Sequence, residues 1–180
     1  MYSNLREYID RLEREGELIR ISAPVSTRFE IAEITDRVVK SEGGGKALLF
    51  ENTGTDFPVI TNMMGSSRRI AMALGVERLD DIAERINSLL GEALSPKGSL
   101  WEKMRMLPLL ADVAKWFPQS VSGRGECQQV VWQGDEVDLE RLPMLHSWES
   151  DGGAFVTLPM VNTVDPETGM RNVGMYRMQR

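Results

Sequence analysis

Cysteine and histidine each occur once in the 180 residues, as Cys127 and His146. One cysteine excludes an internal disulfide and a cysteine-built zinc site, and one histidine excludes a two-histidine metal motif within the chain. Basic blocks are also missing. The 21 Lys and Arg are scattered, and net charge is −6. Nucleic-acid binding driven by bulk charge is thereby excluded, and membrane association is at most peripheral. No apolar run approaches the roughly 18 residues of a membrane span. The N-terminus, MYSNLREYIDRLERE, is charged and amphipathic, without the apolar centre of a signal peptide. These features read as a cytoplasmic protein of a reducing compartment.

What is present is the mix of a globular domain, 42% hydrophobic and 27% charged residues. Eleven methionines are many; adaptable core filling is the expected use. Leu5, Ile9 and Leu12 share one helical stripe, which predicts a helix over 3–15 capped by Ser3 and ended at Gly16. Residues 17–22 read as a strand. Thr27 and Glu30 have capping-box spacing and open a second helix carrying Ile31, Ile34, Val38 and Val39. Gly43, Gly44 and Gly45 end it. Two apolar runs, 47–50 and 58–64, read as strands around a turn-rich 52–56. Helices are expected over 67–74, closed by Gly75, and over 80–90, with Ile82, Ile86, Leu89 and Leu90 inward and Gly91 as stop. Apolar residues at helical spacing over 100–117 are broken at Pro108 and Pro118.

Beyond Pro118 the composition turns toward strands: 127–132, a turn at Gly134-Asp135, an extended stretch to Trp148, then 154–164 and 170–180. Asp165-Pro166-Glu167-Thr168-Gly169 between the last two suits a hairpin on a type I turn. The boundary falls near 118: an α/β domain over 1–118, then the opening strands of a β-rich domain over 119–180. A terminal hairpin with apolar residues on both arms predicts an uncovered edge, and self-association or further chain to cover it.

Most candidate motifs fail. Gly43-Gly44-Gly45-Lys46-Ala47 is not a phosphate loop, because Lys40 replaces the first glycine and Ala47 the Ser/Thr. Gly123-Arg124-Gly125 lacks the third glycine of a dinucleotide fingerprint. Cys127, beside Val130 and Val131, reads as a buried inert thiol, and His146 as structural or surface. Asp135, Glu136 and Asp138 read as a solvated loop. Ser150-Asp151-Gly152-Gly153 is a turn, with a role only if something approaches the glycine backbone closely. Residues 171–179 are the most informative. An asparagine oxygen suits a hard divalent cation and an arginine fork suits a carboxylate. Asn172 and Arg177 have opposite strand parity, so joint service requires a bulge, for which Gly174 is the natural place.

Three segments then carry a resemblance: Gly152-Gly153-Ala154-Phe155-Val156-Thr157-Leu158-Pro159, Asp165-Pro166-Glu167-Thr168-Gly169, and Asn172-Val173-Gly174-Met175-Tyr176-Arg177-Met178-Gln179. With the Leu-Arg-Glu-Tyr-Ile start and the stretch from Asn62 to Gly75, the chain resembles the UbiD family of reversible decarboxylases across its length. The resemblance implies an α+β protein: an α/β N-terminal domain, then a flavin-binding split β-barrel cut after its first strands. It implies prenylated FMN, Mn²⁺ or Mg²⁺, and K⁺. By position, Asn172 matches a metal ligand, Met175, Tyr176 and Arg177 the segment lining the cofactor, and Arg177 the group engaging the substrate carboxylate. It further implies a small aromatic, 4-hydroxybenzoate-like acid of quinone biosynthesis as substrate, a flavin prenyltransferase as cofactor supplier, and a homo-oligomer. Family members are more than twice as long, and their other metal ligands and catalytic glutamates lie beyond position 180. The 180 residues alone are therefore expected to be inactive. The alternative is a non-catalytic interaction or scaffold module keeping half of the fold.

Overall fold

The computed structural model describes residues 2–94, 104, 107–115, 117 and 122–180. The chain forms two compact units, one of residues 1–79 with 138–180 and one of residues 80–137.

The first unit is built around one strand. Helix α1 (Leu5–Arg14) precedes β1 (Leu18–Pro24), α2 (Glu30–Val39), β2 (Ala47–Asn52), β3 (Val59–Thr61) and α3 (Ser67–Leu74). β1 pairs with β2 in parallel and β3 joins β2 antiparallel, so β2 is central. Its Ala-Leu-Leu-Phe run has no polar alternation because both faces are covered. Leu48 and Phe50 pack with Val25 and Ile31 of the α2 side, and Ala47 packs with Tyr8 and Leu12 of α1. Phe50, Leu12, Ile31 and Ala47 are wholly buried.

The helix ends differ in detail from the sequence reading. Asn4, not Ser3, caps α1: its Oδ1 accepts from the Glu7 N–H, while the Glu7 carboxylate takes both donors of Ser3. Asparagine outcompetes serine here because its carbonyl reaches the third amide. At α2 the expected capping box does not form: Phe29, at φ 71°, is the N-cap and no side chain caps the helix, while the Glu30 carboxylate accepts from the Ser26 N–H at 2.7 Å. Gly16 and Gly75 close α1 and α3 at φ 69° and 68°, as expected.

Arg69 of α3 is 1% exposed. Its Nη1 donates to Glu17 (2.8 Å) and to the Gly45 carbonyl (2.7 Å). Its Nε and Nη2 find no acceptor among the described residues. Arg68, half exposed, adds bonds to the same Glu17 and to Glu15. The Tyr8 hydroxyl donates to the Arg69 carbonyl at 2.8 Å. Burial pushes the Tyr8 pKa up. Gly65 is enclosed here: a Cβ would lie 1.7 Å from Asn62 Oδ1 and 2.8 Å from Arg69 Nη2.

In the second unit, α4 runs Asp80–Leu94, so Gly91 is inside the helix and does not stop it. Ile86 and Leu90, expected inward, are 50% and 52% exposed. Helix α5 (Leu107–Ala114) starts beside Pro108, which lies in its first turn, where no intrahelical N–H is needed, in keeping with the interruption expected there. The rest of the expected 100–106 helix, apart from residue 104, and the Pro118 break lie outside the described residues. The strand expected over 127–132 is replaced by a 3₁₀ turn at Glu126–Gln128. Cys127 is exposed there, not buried. Strand-favouring composition alone does not make a strand where no neighbouring strand pairs with it among the described residues.

Back in the first unit, residues 142–148 tie the chain's two halves together. Arg28 and His146 form a parallel bridge and Leu145 and Phe155 an antiparallel one. The His146 ring lies 4.8 Å from the Phe29 ring and its Nε2 is buried, which is a structural role as expected. Then come β4 (Phe155–Val156), β5 (Met160–Val164), β6 (Arg171–Met175) and β7 (Met178–Gln179). β5 pairs with β6 and β4 with β7, in two small, unclosed antiparallel ladders. The mixed helix-and-strand architecture agrees with the α+β expectation.

The hairpin turn is as expected. Gly169 has φ 70° and donates to the Asp165 carbonyl. Asp165 Oδ1 accepts from the Glu167 and Thr168 amides, and the Thr168 bond, then the Glu167 bond, hold its carboxyl below the usual range. The arms expose Met160, Val164, Met170, Val173 and Met175 by more than half. This is the uncovered apolar edge expected of the terminal hairpin, while Met63 and Met72 pack against the Tyr8 cluster.

Candidate functional site

The carboxylate-binding candidate, Arg177, sits where the chain changes partners. Up to Met175 the backbone pairs with β5 without a register shift, including Val161 opposite Gly174. From Met178 it pairs with β4. The bulge expected at Gly174 is therefore absent, and the break falls at Tyr176 and Arg177. Gly174 is used differently. A Cβ there would lie 2.4 Å from Tyr176 Cε2, so the glycine makes room for the aromatic ring.

Arg177 has two neighbours. Its Cζ stands 3.7 Å from the centroid of the Phe155 ring, a cation–π stack. Its Nη2 lies 3.6 Å from Asp151 Oδ2. Asp151 belongs to the Ser150-Asp151-Gly152-Gly153 turn, and something does approach that glycine backbone. Gln179 Nε2 donates to the Gly152 carbonyl at 2.7 Å and would collide with a Cβ on Gly152 at 2.5 Å. Phe155 and Asp151 were missed by sequence reasoning. The turn was visible, but its closeness to a strand 26 residues later was not.

Asn172 has separate surroundings. It lies opposite Thr163 on the hairpin and borders a shallow cavity of about 460 Å³ lined by residues 163–166 and 170–172. Among the described residues no group of three or more His, Cys, Asp or Glu is placed to hold a metal. Asn172 can thus supply one hard oxygen of a coordination set, and the other ligands would have to come from elsewhere. Met175, Tyr176 and Arg177 are 73%, 54% and 53% exposed. The Tyr176 ring lies against Gly174 and the Arg177 guanidinium against Phe155, so a thioether, a phenol ring and a guanidinium are all accessible along this segment.

A further cleft of about 740 Å³ is lined by residues 59–65, 142–145 and 155–158. Phe155 belongs both to its wall and to the Arg177 stack. The cleft wall meets the stacked guanidinium only through Phe155, and Arg177 itself does not line it.

Residues 9–86 match the N-terminal domain of 3-octaprenyl-4-hydroxybenzoate carboxy-lyase, and residues 119–180 match its Rift-related domain. The chain belongs to the UbiD family and corresponds to the N-terminal portion of its members. An uncharacterized protein of Aquifex aeolicus is 49% identical over 99% of this chain, which spans 36% of that protein. The vanillic acid decarboxylase of Sedimentibacter hydroxybenzoicus, in closed form, superimposes with TM-score 0.72 at 27% identity, over 100% of this chain and 35% of that one. An evolved dimeric form of the UbiD-class enzyme HmfF from Pelotomaculum thermopropionicum, in complex with prFMN, superimposes with TM-score 0.66 at 25% identity, over 99% of this chain and 36% of that one. The chain thus spans about a third of the length of the relatives it matches. No helix among the described residues is long and apolar enough to cross a membrane.

Proposed function

We propose that these residues serve a prenylated-FMN-dependent, non-oxidative decarboxylase of aromatic acids resembling 4-hydroxybenzoate, acting in quinone biosynthesis. The observation that carries this reading is the guanidinium of Arg177, stacked on Phe155 at the end of the segment that matches the family's Rift-related domain. Arg177 receives the substrate carboxylate through its planar fork. Met175 and Tyr176 line the cofactor, and Asn172 donates one oxygen to a Mn²⁺ or Mg²⁺ ion, with K⁺ as a second cation. When bound, the modified flavin supplies the electron sink that loss of CO₂ from an sp² carbon requires. The chain's own contribution is orientation and positive charge. A flavin prenyltransferase supplies the cofactor, the whole protein is a homo-oligomer, and the cofactor domain begins at 119.

In the holoenzyme, Arg177→Ala should abolish decarboxylation while leaving the circular dichroism spectrum unchanged; retained turnover would refute the role given to Arg177. The exposed apolar hairpin favours a second reading, an interaction module without catalysis. That reading requires the unsubstituted whole protein, loaded with cofactor, to turn over no aromatic acid, so the parent's own activity separates the two.

A further inference from the structure

Just over half of the Arg177 side chain is exposed (53%), and a free arginine of that kind samples many rotamers. Two groups restrict it. Phe155 supports one face of the guanidinium, and Asp151 stands at one corner. Asp151 is not a loose surface acid, because only 20% of its side chain is exposed. Its Oδ2 also accepts from the Trp148 N–H at 3.3 Å, and its own N–H donates to the Trp148 carbonyl at 3.1 Å. The loop over 148–154 is fastened to the strand that follows Arg177. Gln179 Nε2 donates to the Gly152 carbonyl, and the Arg180 N–H to the Ala154 carbonyl at 2.9 Å. Carboxylate and guanidinium are thus anchored to one frame.

The contact is loose in a telling way. At 3.6 Å it is longer than the roughly 2.8 Å of a charge-assisted hydrogen bond, and it involves a single nitrogen. A guanidinium has five N–H donors in its plane. With one corner near Asp151 and one face on the ring, an in-plane edge remains for two parallel bonds to a second carboxylate.

Resting on the reading of Arg177 as the carboxylate-binding group, we propose that Asp151 is a positioning residue: with Phe155 it holds the guanidinium in the orientation that receives the substrate carboxylate. The rival role, competition with substrate for the same cation, has the opposite sign. Removing a competitor raises affinity for the acid; removing a positioning group lowers it.

Two measurements test the proposal. In ¹H–¹⁵N spectra of the arginine Nε–Hε groups of this chain, Arg177→Lys identifies the Arg177 signal, and Phe155→Leu shows its ring-current displacement. Asp151→Ala should move that signal toward the position of a free arginine, and Asp151→Asn, which keeps an oxygen acceptor, should move it less. In the holoenzyme, Asp151→Ala should raise KM about three- to fivefold with kcat within about twofold, the range of a half-exposed ion pair. Asp151→Asn should fall between. A lowered KM in Asp151→Ala, or an Arg177 signal that ignores the substitution, overturns the proposal. An unmoved KM beside an inactive Arg177→Ala sinks the positioning role alone. Full activity in Arg177→Ala sinks the functional reading on which it rests.

Discussion

Replacing Glu17 by glutamine tests the physical account of the first unit most directly. Glu17 is the only charged partner among the bonds described for the Arg69 side chain, which is 1% exposed and already has two donors without acceptors. Removing the carboxylate charge leaves a buried cation facing a neutral amide. Breaking a buried pair from one side costs about 3 kcal/mol or more. Arg68 bonds the same carboxylate but is 53% exposed, so Arg68→Ala should cost about 1 kcal/mol at most. Urea unfolding followed by circular dichroism separates these. With a slope of about 2 kcal/mol per molar, Glu17→Gln should lower the midpoint by about 1.5 M and Arg68→Ala by less than about 0.5 M. Adding Arg69→Met to Glu17→Gln should recover much of the loss, because no buried charge remains. The pH dependence has a definite sign. Burial of the Glu17 carboxyl raises its pKa, but hydrogen bonds from Arg69 and Arg68 outweigh burial and leave it lowered. Its contribution is therefore present above the unfolded carboxylate pKa of about 4.3 and disappears as pH falls through the folded value. Glu17→Gln should unfold with less sensitivity to acid than the parent. Equal midpoint losses for Glu17→Gln and Arg68→Ala would refute the reasoning, since the argument assigns the energy to burial rather than to charge pairing as such.

Phe50→Ala, at a wholly buried position on the central strand, should lower stability by about 3–5 kcal/mol in the same assay. Gly65→Ala should cost about 1–3 kcal/mol, because the new methyl falls on Asn62 Oδ1, whose amide nitrogen is bonded to the Gly44 carbonyl. The hairpin turn should loosen in acid. The lowered pKa of Asp165 means that its hold on the Thr168 and Glu167 amides persists above the ordinary carboxylate range and is lost as pH falls through the folded value, visible as shifts of those two amide protons. Asp165→Asn should remove most of that pH dependence.

The sequence made local structure legible where one residue dictates it. Gly16, Gly75 and Gly169 end their elements at positive φ, and the unbroken apolar run of β2 correctly announced a strand, whose coverage on both faces only the packing shows. It was less informative where two neighbouring residues compete for one task. Ser3 lost to Asn4 through reach that spacing does not encode, and Thr27 made no box with Glu30 because the Glu30 carboxylate turned to the Ser26 N–H. Periodicity misled in α4, where Ile86 and Leu90 are exposed despite helical spacing. The candidate site was half legible. Arg177 drew notice as a guanidinium among apolar neighbours, but its role came only with the resemblance. Asp151 and Phe155 did not, since only tertiary pairing brings them to it.

The change of partner at Tyr176 and Arg177 has a consequence for how the molecule tolerates insertions. Only two residues join β6 to β7, so the alignment of one ladder dictates that of the other. Side chains alternate along a strand, and a slip of a single position turns each of them over. Lengthening or shortening the 165–169 turn by one residue would thus be felt eight residues downstream, as a guanidinium facing away from its aromatic support. The size of that remote turn is a determinant of where the positive charge points.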